Sequence, residues 1–89
     1  MRATETSGGE VQADGVVVRV DTVSRELTVL LSDGLRVIDV PSGCPITLRG
    51  ERVRLRMLQA QDFVQVTYAD HRNSRVASAV EVKVRVGSA

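Results

Sequence analysis

Leu27 to Val40, LTVLLSDGLRVIDV, decides the fold. Leu27, Val29 and Leu31 alternate with Thr28 and Leu30, Ile38 and Val40 alternate with Val37 and Asp39, and Asp33-Gly34 stands between the two runs. A period of two argues strands and not a helix. Asp-Gly between alternating runs is the strongest short-range hairpin signal. Taken as a type I′ turn, it pairs Val29 with Ile38 and Leu27 with Val40 and sends that apolar set inward. It leaves Leu30, Leu35 and Val37 on the opposite face. That strip is too apolar for open water, so it is expected either to be covered by the tail, a loop or the curled sheet, or to serve as a protein interface, a weak homodimer included.

Outward from this hairpin the same grammar repeats. Val11 to Val20 reads as a strand with Val16, Val18 and Val20 on one face and Val17 and Arg19 on the other, and Gly15 marks a bulge or bend. Asp21 to Glu26 turns the chain. Pro41 ends the second run, and Ser42-Gly43-Cys44-Pro45 is an irregular corner. Leu58 to Asp62 is a short connection with room for one helical turn. Phe63 to Tyr68 is a strand with Val64, Val66 and Tyr68 inward, Asp70 to Arg75 is a polar loop, and Val76 to Val86 closes the chain with Val80, Val82, Val84 and Val86 on one face. Residues 1–10 are small and polar, the composition of a mobile tail. One β-barrel domain is expected over 11–86, with 87–89 a second tail.

Between the corner and the connection lies the most sharply patterned chemistry. In Ile46 to Met57, ITLRGERVRLRM, Val53, Leu55 and Met57 alternate with Arg52, Arg54 and Arg56. One face is core and the other cationic. Gly50-Glu51 suits a type II′ turn, which sets Leu48 against Val53, Ile46 against Leu55 and Arg49 against Arg52. Arg49, Arg52, Arg54 and Arg56 then share one surface. Opposed like charges on neighbouring strands cost a few tenths of a kcal/mol to about 1 kcal/mol, unless an anion relieves them.

Composition sets the outer bounds. Eighty-nine residues make one domain with a modest core. The chain is 43% apolar and 26% charged, with Val dominating the apolar set, which favours a globular all-β domain. Twelve basic residues against eleven acidic ones give a net charge of +1, too little to coat nucleic acid or membrane by bulk charge. A single cysteine, Cys44, allows no intramolecular disulfide and no multi-cysteine zinc site. No stretch has the apolar length of a membrane span. The start lacks the apolar core of a secretory signal, so the expected location is cytoplasmic if Met1 is the native start and exported if the chain is trimmed.

The fold class is therefore all-β, a closed or partly open barrel of about five to seven short strands. Gly15-Val16-Val17 with Val20-Asp21, Leu27-Thr28-Val29, the Asp33-Gly34 turn, Leu58-Gln59-Ala60-Gln61-Asp62-Phe63-Val64-Gln65-Val66 and the closing Ala79-Val80-Glu81-Val82 occur in an order that resembles the small OB-like, Greek-key β-barrel domains of bacterial proteins, many of unknown function. The resemblance covers about residues 13–84. The Leu58 to Val66 segment looks like that family's Leu-x-x-Gly-Asp-x-Val-x-Val, but with Gln61 in place of the Gly, so a positive-φ turn is not expected there. The barrel is also similar to the periplasmic metallochaperone family of bacterial copper efflux, which binds Cu(I) through a His on the second strand and Met and Trp on the third. Leu27 to Leu31 and Leu35 to Val40 contain none of these, so the resemblance does not imply copper transport.

No catalytic set is expected. His71 reads as a surface loop residue, Cys44 as a small buried apolar residue without a base beside it, and the acids are dispersed. A metal site would need Cys44, Met57 and His71 from separate segments, and Met57 is in phase with the core. No cofactor or metal is expected. The function expected is a non-catalytic binding or structural module. Its contact surface is Arg49, Arg52, Arg54 and Arg56, and its partner a protein or other anionic molecule. The alternative is weak single-stranded nucleic-acid binding, disfavoured because Phe63 and Tyr68 are the only aromatics and Tyr68 is in the core phase. A metal carrier is third.

Overall fold

The computed structural model describes residues 10–71 and 74–84, except the side chain of Val84. Among them seven strands form: β1 (Val11–Asp21), β2 (Glu26–Leu31), β3 (Gly34–Asp39), β4 (Ile46–Leu48), β5 (Glu51–Arg52), β6 (Phe63–His71) and β7 (Ser74–Val84). A 3₁₀ turn spans Leu55–Met57. The expected tails lie outside the described residues, Glu10 apart.

The strands run in the order β3-β2-β1-β6-β7-β4-β5, and a parallel contact between β3 and β7 at Ile38↔Arg75 and Asp39↔Val76 joins the ends of the main wall. Strands β1, β2, β3, β7 and β6 thus make a closed five-stranded barrel. Closure removes the free edges that a small open sheet would present. Strands β4 and β5 are extra: β4 runs parallel to β7 through Ile46↔Val80 and Leu48↔Val82, and β5 hangs on β4.

The interior is filled by one cluster that includes Val17, Leu27, Val29, Leu31, Ile38, Val40, Val64, Val66, Tyr68, Val80 and Val82. The inward set of the β2–β3 hairpin is the expected one, but its register differs by two. Leu27 faces Ile38 and Leu31 faces Gly34, so Ser32 and Asp33 form the corner and Gly34 takes the positive φ of 121°. A shift of two moves no side chain to the other face, which is why the core survives the error.

Strand β1 corrects the sequence reading. Val17 is buried, Val18 exposed and Val20 packed against the core, so Val18 and Val20 do not share the one face expected of them. The bulge is at Val18, an extra residue between the pairs Val17↔Val29 and Arg19↔Thr28, and it lets both Val17 and Val20 turn toward the core. Gly15 serves another purpose. A Cβ there would lie 2.6 Å from the Leu30 carbonyl oxygen, so Gly is needed for close approach of β1 to β2. The expected polar loop from Asp70 to Arg75 is mostly ladder: Asp70 pairs with Arg75 and His71 with Ser74. Val80 and Val82 face inward as expected, while Val86 lies outside the described residues.

Candidate functional site

The arginine segment begins as a hairpin and then stops being one. Leu48 faces Glu51, Thr47 faces Arg52, and the Val53 N–H donates to the Ile46 carbonyl at 2.8 Å. The turn is Arg49-Gly50, with φ of 55° and 82°, which is type I′ and not the II′ turn at Gly50-Glu51. Arg49 therefore sits in the turn and does not oppose Arg52. After Val53 the chain leaves the sheet. Leu55 and Leu58 are both buried, and their spacing of three matches the 3₁₀ period, closed by the Leu58 N–H to Leu55 carbonyl bond at 3.0 Å. Met57 falls off that face and is 46% exposed, which overturns its expected place in the core.

Arg49, Arg52, Arg54 and Arg56 are all exposed. Arg52 and Arg54 line a pocket of about 200 Å³ whose other walls are Arg25, Ser42, Cys44, Ile46, Val53 and Leu55. Arg49 and Arg56 do not line it. Arg25 was not anticipated in the sequence. It ends the turn after β1, where Asp21 Oδ1 accepts the Val23 and Ser24 N–H groups at 3.0 Å each, bonds that hold the Asp21 carboxyl below its usual value. The Arg25 carbonyl accepts the Val40 N–H at 2.8 Å, and its Nε donates to the Val40 carbonyl at 2.9 Å, extending the β2–β3 ladder by one residue. Only that register brings residue 25 beside the corner at 41–45.

The charges are unevenly matched. Arg19, Arg36, Arg75 and Lys83 each have an acid beside them: Asp21, Asp33, Asp70 and Glu81. Among the described residues, the basic side chains without a carboxylate partner are Arg25, beside the corner, and Arg49, Arg52, Arg54 and Arg56 of the hairpin segment. Cys44 at the pocket floor is buried, and desolvation raises its thiol pKa while Arg25 and Arg52 pull the other way. The thiol donates to the Pro45 carbonyl at 3.6 Å.

On the flank, Leu30, Leu35 and Val37 are 48%, 55% and 52% exposed, so neither the sheet nor any described loop covers them. They extend further than expected. Phe63↔Val16, Val16↔Leu30 and Leu30↔Leu35 are direct cross-strand pairs, so an apolar row crosses β6, β1, β2 and β3 on the outer face. Phe63 adds the row's aromatic end. A second, wider cleft of about 530 Å³ lies between Val11–Asp14, Leu31–Asp33 and Tyr68. Its Asp33 is already paired with Arg36 at 3.3 Å.

The soft-ligand set is not assembled around Cys44, whose pocket includes neither Met57 nor His71. His71 is exposed at the end of β6. Among the described residues no three of His, Cys, Asp and Glu come together as metal ligands, and no helix is long and apolar enough to cross a membrane.

A closed five-stranded barrel of this order is an OB-like barrel. No family model and no curated protein matches the chain. Solved structures do. The chain is similar to CusF from Escherichia coli: to a tryptophan-to-alanine variant with Cu(II), with a TM-score of 0.72, 13% identity and coverage of 91% of this chain and 100% of that one. Apo-CusF gives a TM-score of 0.70 at 13% identity over 94% and 99% of the two chains, and CusF with Ag(I) gives 0.70 at 13% over 84% and 92%. At that identity the likeness is one of fold.

Proposed function

We propose that this chain is a non-catalytic binding module whose contact surface is the arginine hairpin, Arg49, Arg52, Arg54 and Arg56, and whose partner is an anionic protein. The observation that carries the reading is the segregation of unpaired cations: apart from Arg25, which lines the pocket with Arg52 and Arg54, each described basic side chain outside this segment has its acid, and here none does. A cationic edge strand also discourages pairing with other sheets, which suits a surface kept open for a partner. A protein partner is favoured over single-stranded nucleic acid because Tyr68 is buried and unable to stack on a base, and stacking supplies much of such affinity. Metal carriage is disfavoured because the strands equivalent in order to those named for the copper family hold no His, Met or Trp. A second surface, the Leu30, Leu35 and Val37 strip, serves weak self-association.

The test is an amide NMR titration with polyglutamate and, separately, a mixed single-stranded oligonucleotide at low and moderate salt. Shifts confined to Arg49–Arg56 and the adjoining barrel end are expected with polyglutamate. An oligonucleotide response that persists at moderate salt while polyglutamate has none would put nucleic acid first. Silence with both at low salt would remove the anionic reading.

A further inference from the structure

We infer that the pocket among Arg25, Ser42, Arg52 and Arg54 is a binding site for a single phosphoryl dianion, free or at the end of a small phosphomonoester. The inference rests on the anion-binding reading above and narrows it to a place and a chemistry. Three guanidinium groups border a concavity with no acid in its lining. Ile46, Val53, Leu55 and Cys44 also line it, so a charge seated in the concavity is less screened than one on the open hairpin.

Arg25 is the fixed member. Its Nε donates to the Val40 carbonyl at 2.9 Å and its Nη2 to the Pro41 carbonyl at 3.4 Å. A guanidinium carries five N–H donors, so the two carbonyls orient the plane and leave donors free for an oxyanion. Arg52 comes from the edge strand and Arg54 from the extended residue before the 3₁₀ turn, and both line the pocket with Arg25. Ser42 adds a hydroxyl at the rim. The pull of Arg25 and Arg52 on the Cys44 thiol shows their fields overlapping at the pocket floor.

Size selects the ligand. A volume of about 200 Å³ lies below the several hundred Å³ of pockets that enclose drug-sized ligands. It has room for one tetrahedral anion and its waters. A terminal dianion answers three cations better than a phosphodiester, which carries one charge and must run through the site on both sides.

The probes are inorganic phosphate and O-phosphoserine, each titrated into labelled full chain at fixed ionic strength against chloride, with arginine Nε resonances and backbone amides observed. Saturable shifts at Arg25, Ser42, Arg52 and Arg54 are expected. Phosphoserine binding at least as tightly as phosphate identifies an esterified ligand; phosphate binding alone identifies the free ion. Arg25→Gln should weaken binding about tenfold, and Arg54→Gln, which disturbs no described hydrogen bond, several-fold. Lys83→Gln, on β7 outside the pocket, should leave it unchanged. If phosphate shifts nothing beyond chloride while polyglutamate still moves the hairpin, the pocket is wrong and the anionic surface stands. If Lys83→Gln weakens phosphate as much as Arg25→Gln, binding is diffuse and the inference fails. If no anion shifts any resonance, both readings fall together.

Discussion

The two hairpins start from the same plan and end differently. In β2–β3 the alternation Leu27, Val29, Leu31 and Ile38, Val40 holds along its whole length. Both of its strands are paired on two sides for part of their run, β2 to β1 and β3 to β7. In β4–β5 the alternation Val53, Leu55, Met57 breaks after Leu55. There β4 alone joins the sheet, through β7, and β5 is an edge with one neighbour. A strand flanked on both sides has its phase enforced by two ladders, whereas an edge strand keeps its phase only while burial outweighs other arrangements. The regular hairpin is wall, and the irregular one is free to become a surface.

The largest test of this difference is truncation of one core leucine from each region. Leu27→Ala should cost about 3 to 5 kcal/mol and Leu55→Ala about 2 to 3 kcal/mol by urea unfolding, because both are buried but the end of the barrel collapses more easily onto a lost side chain. A loss below about 1 kcal/mol at Leu55 would mean that the 3₁₀ segment is not part of the core. The comparison would then have one structured member only.

A smaller effect separates two glycines. Gly15→Ala sets a methyl 2.6 Å from the Leu30 carbonyl oxygen and Val29 Cγ1, and should cost about 1 to 3 kcal/mol as overpacking in the wall. At Gly43, beside the arginine pocket, an added Cβ meets nothing within 4 Å, so Gly43→Ala should change stability by less than about 0.5 kcal/mol. Equal losses at the two sites would erase the distinction between wall and rim.

Gln61 offers a gain instead of a loss. Its φ is 77°, so the resemblance to a Leu-x-x-Gly-Asp pattern holds in backbone shape although the Gly is absent. The neighbouring Asp62 explains why the shape is kept. Its Oδ2 accepts the Gln59 N–H at 2.8 Å, its carbonyl accepts the Val17 N–H at 2.8 Å, and the Gln61 N–H donates to the Val17 carbonyl at 2.6 Å. These bonds fasten the connection to β1 and impose the left-handed residue. Gln61→Gly should therefore raise stability by up to about 1 kcal/mol, the relief of strain being partly offset by a more flexible unfolded chain. A loss instead would show that the Gln side chain itself supports the turn.

What was legible in the sequence follows the same division. The β2–β3 core set could be read because Thr28 and Asp39 mark the outward positions. In Val16-Val17-Val18 no polar residue marks a face, so the bulge at Val18 was invisible and Val18 and Val20 were grouped on one face. In Arg52 to Leu58 two periods overlap. Val53, Leu55 and Met57 suggest a strand, Leu55 and Leu58 suggest a 3₁₀ turn, and only the missing second neighbour of β5 decides between them. Arg25 could not have been placed at the pocket, since its position depends on a long-range register with Val40. The exposure of the hairpin arginines needed no tertiary knowledge, because charge alone keeps each in water, although only Arg52 lies on a strand.

The smallest expected effect on folding is at the outer face of the regular hairpin, where the comparison is sharpest. Leu30 sits between the inward Val29 and Leu31, yet it is half exposed and heads the row shared with Val16, Phe63 and Leu35. Leu30→Lys should leave unfolding free energy within about 0.5 kcal/mol, since the site is half exposed and the lysine stem can cover the same neighbours, while Leu27 three residues away tolerates nothing of the kind. Its effect should appear in association. Sedimentation of the parent chain at high concentration should show a mass above the monomer that Leu30→Lys returns to monomer, because a lysine placed in the row must be desolvated by a second copy. The row is narrow, so the dimer should be weak and dissociate on dilution. A monomer at every concentration would refute self-association and leave the wall of the barrel without a contact of its own, with the arginine end as the single surface on which binding depends.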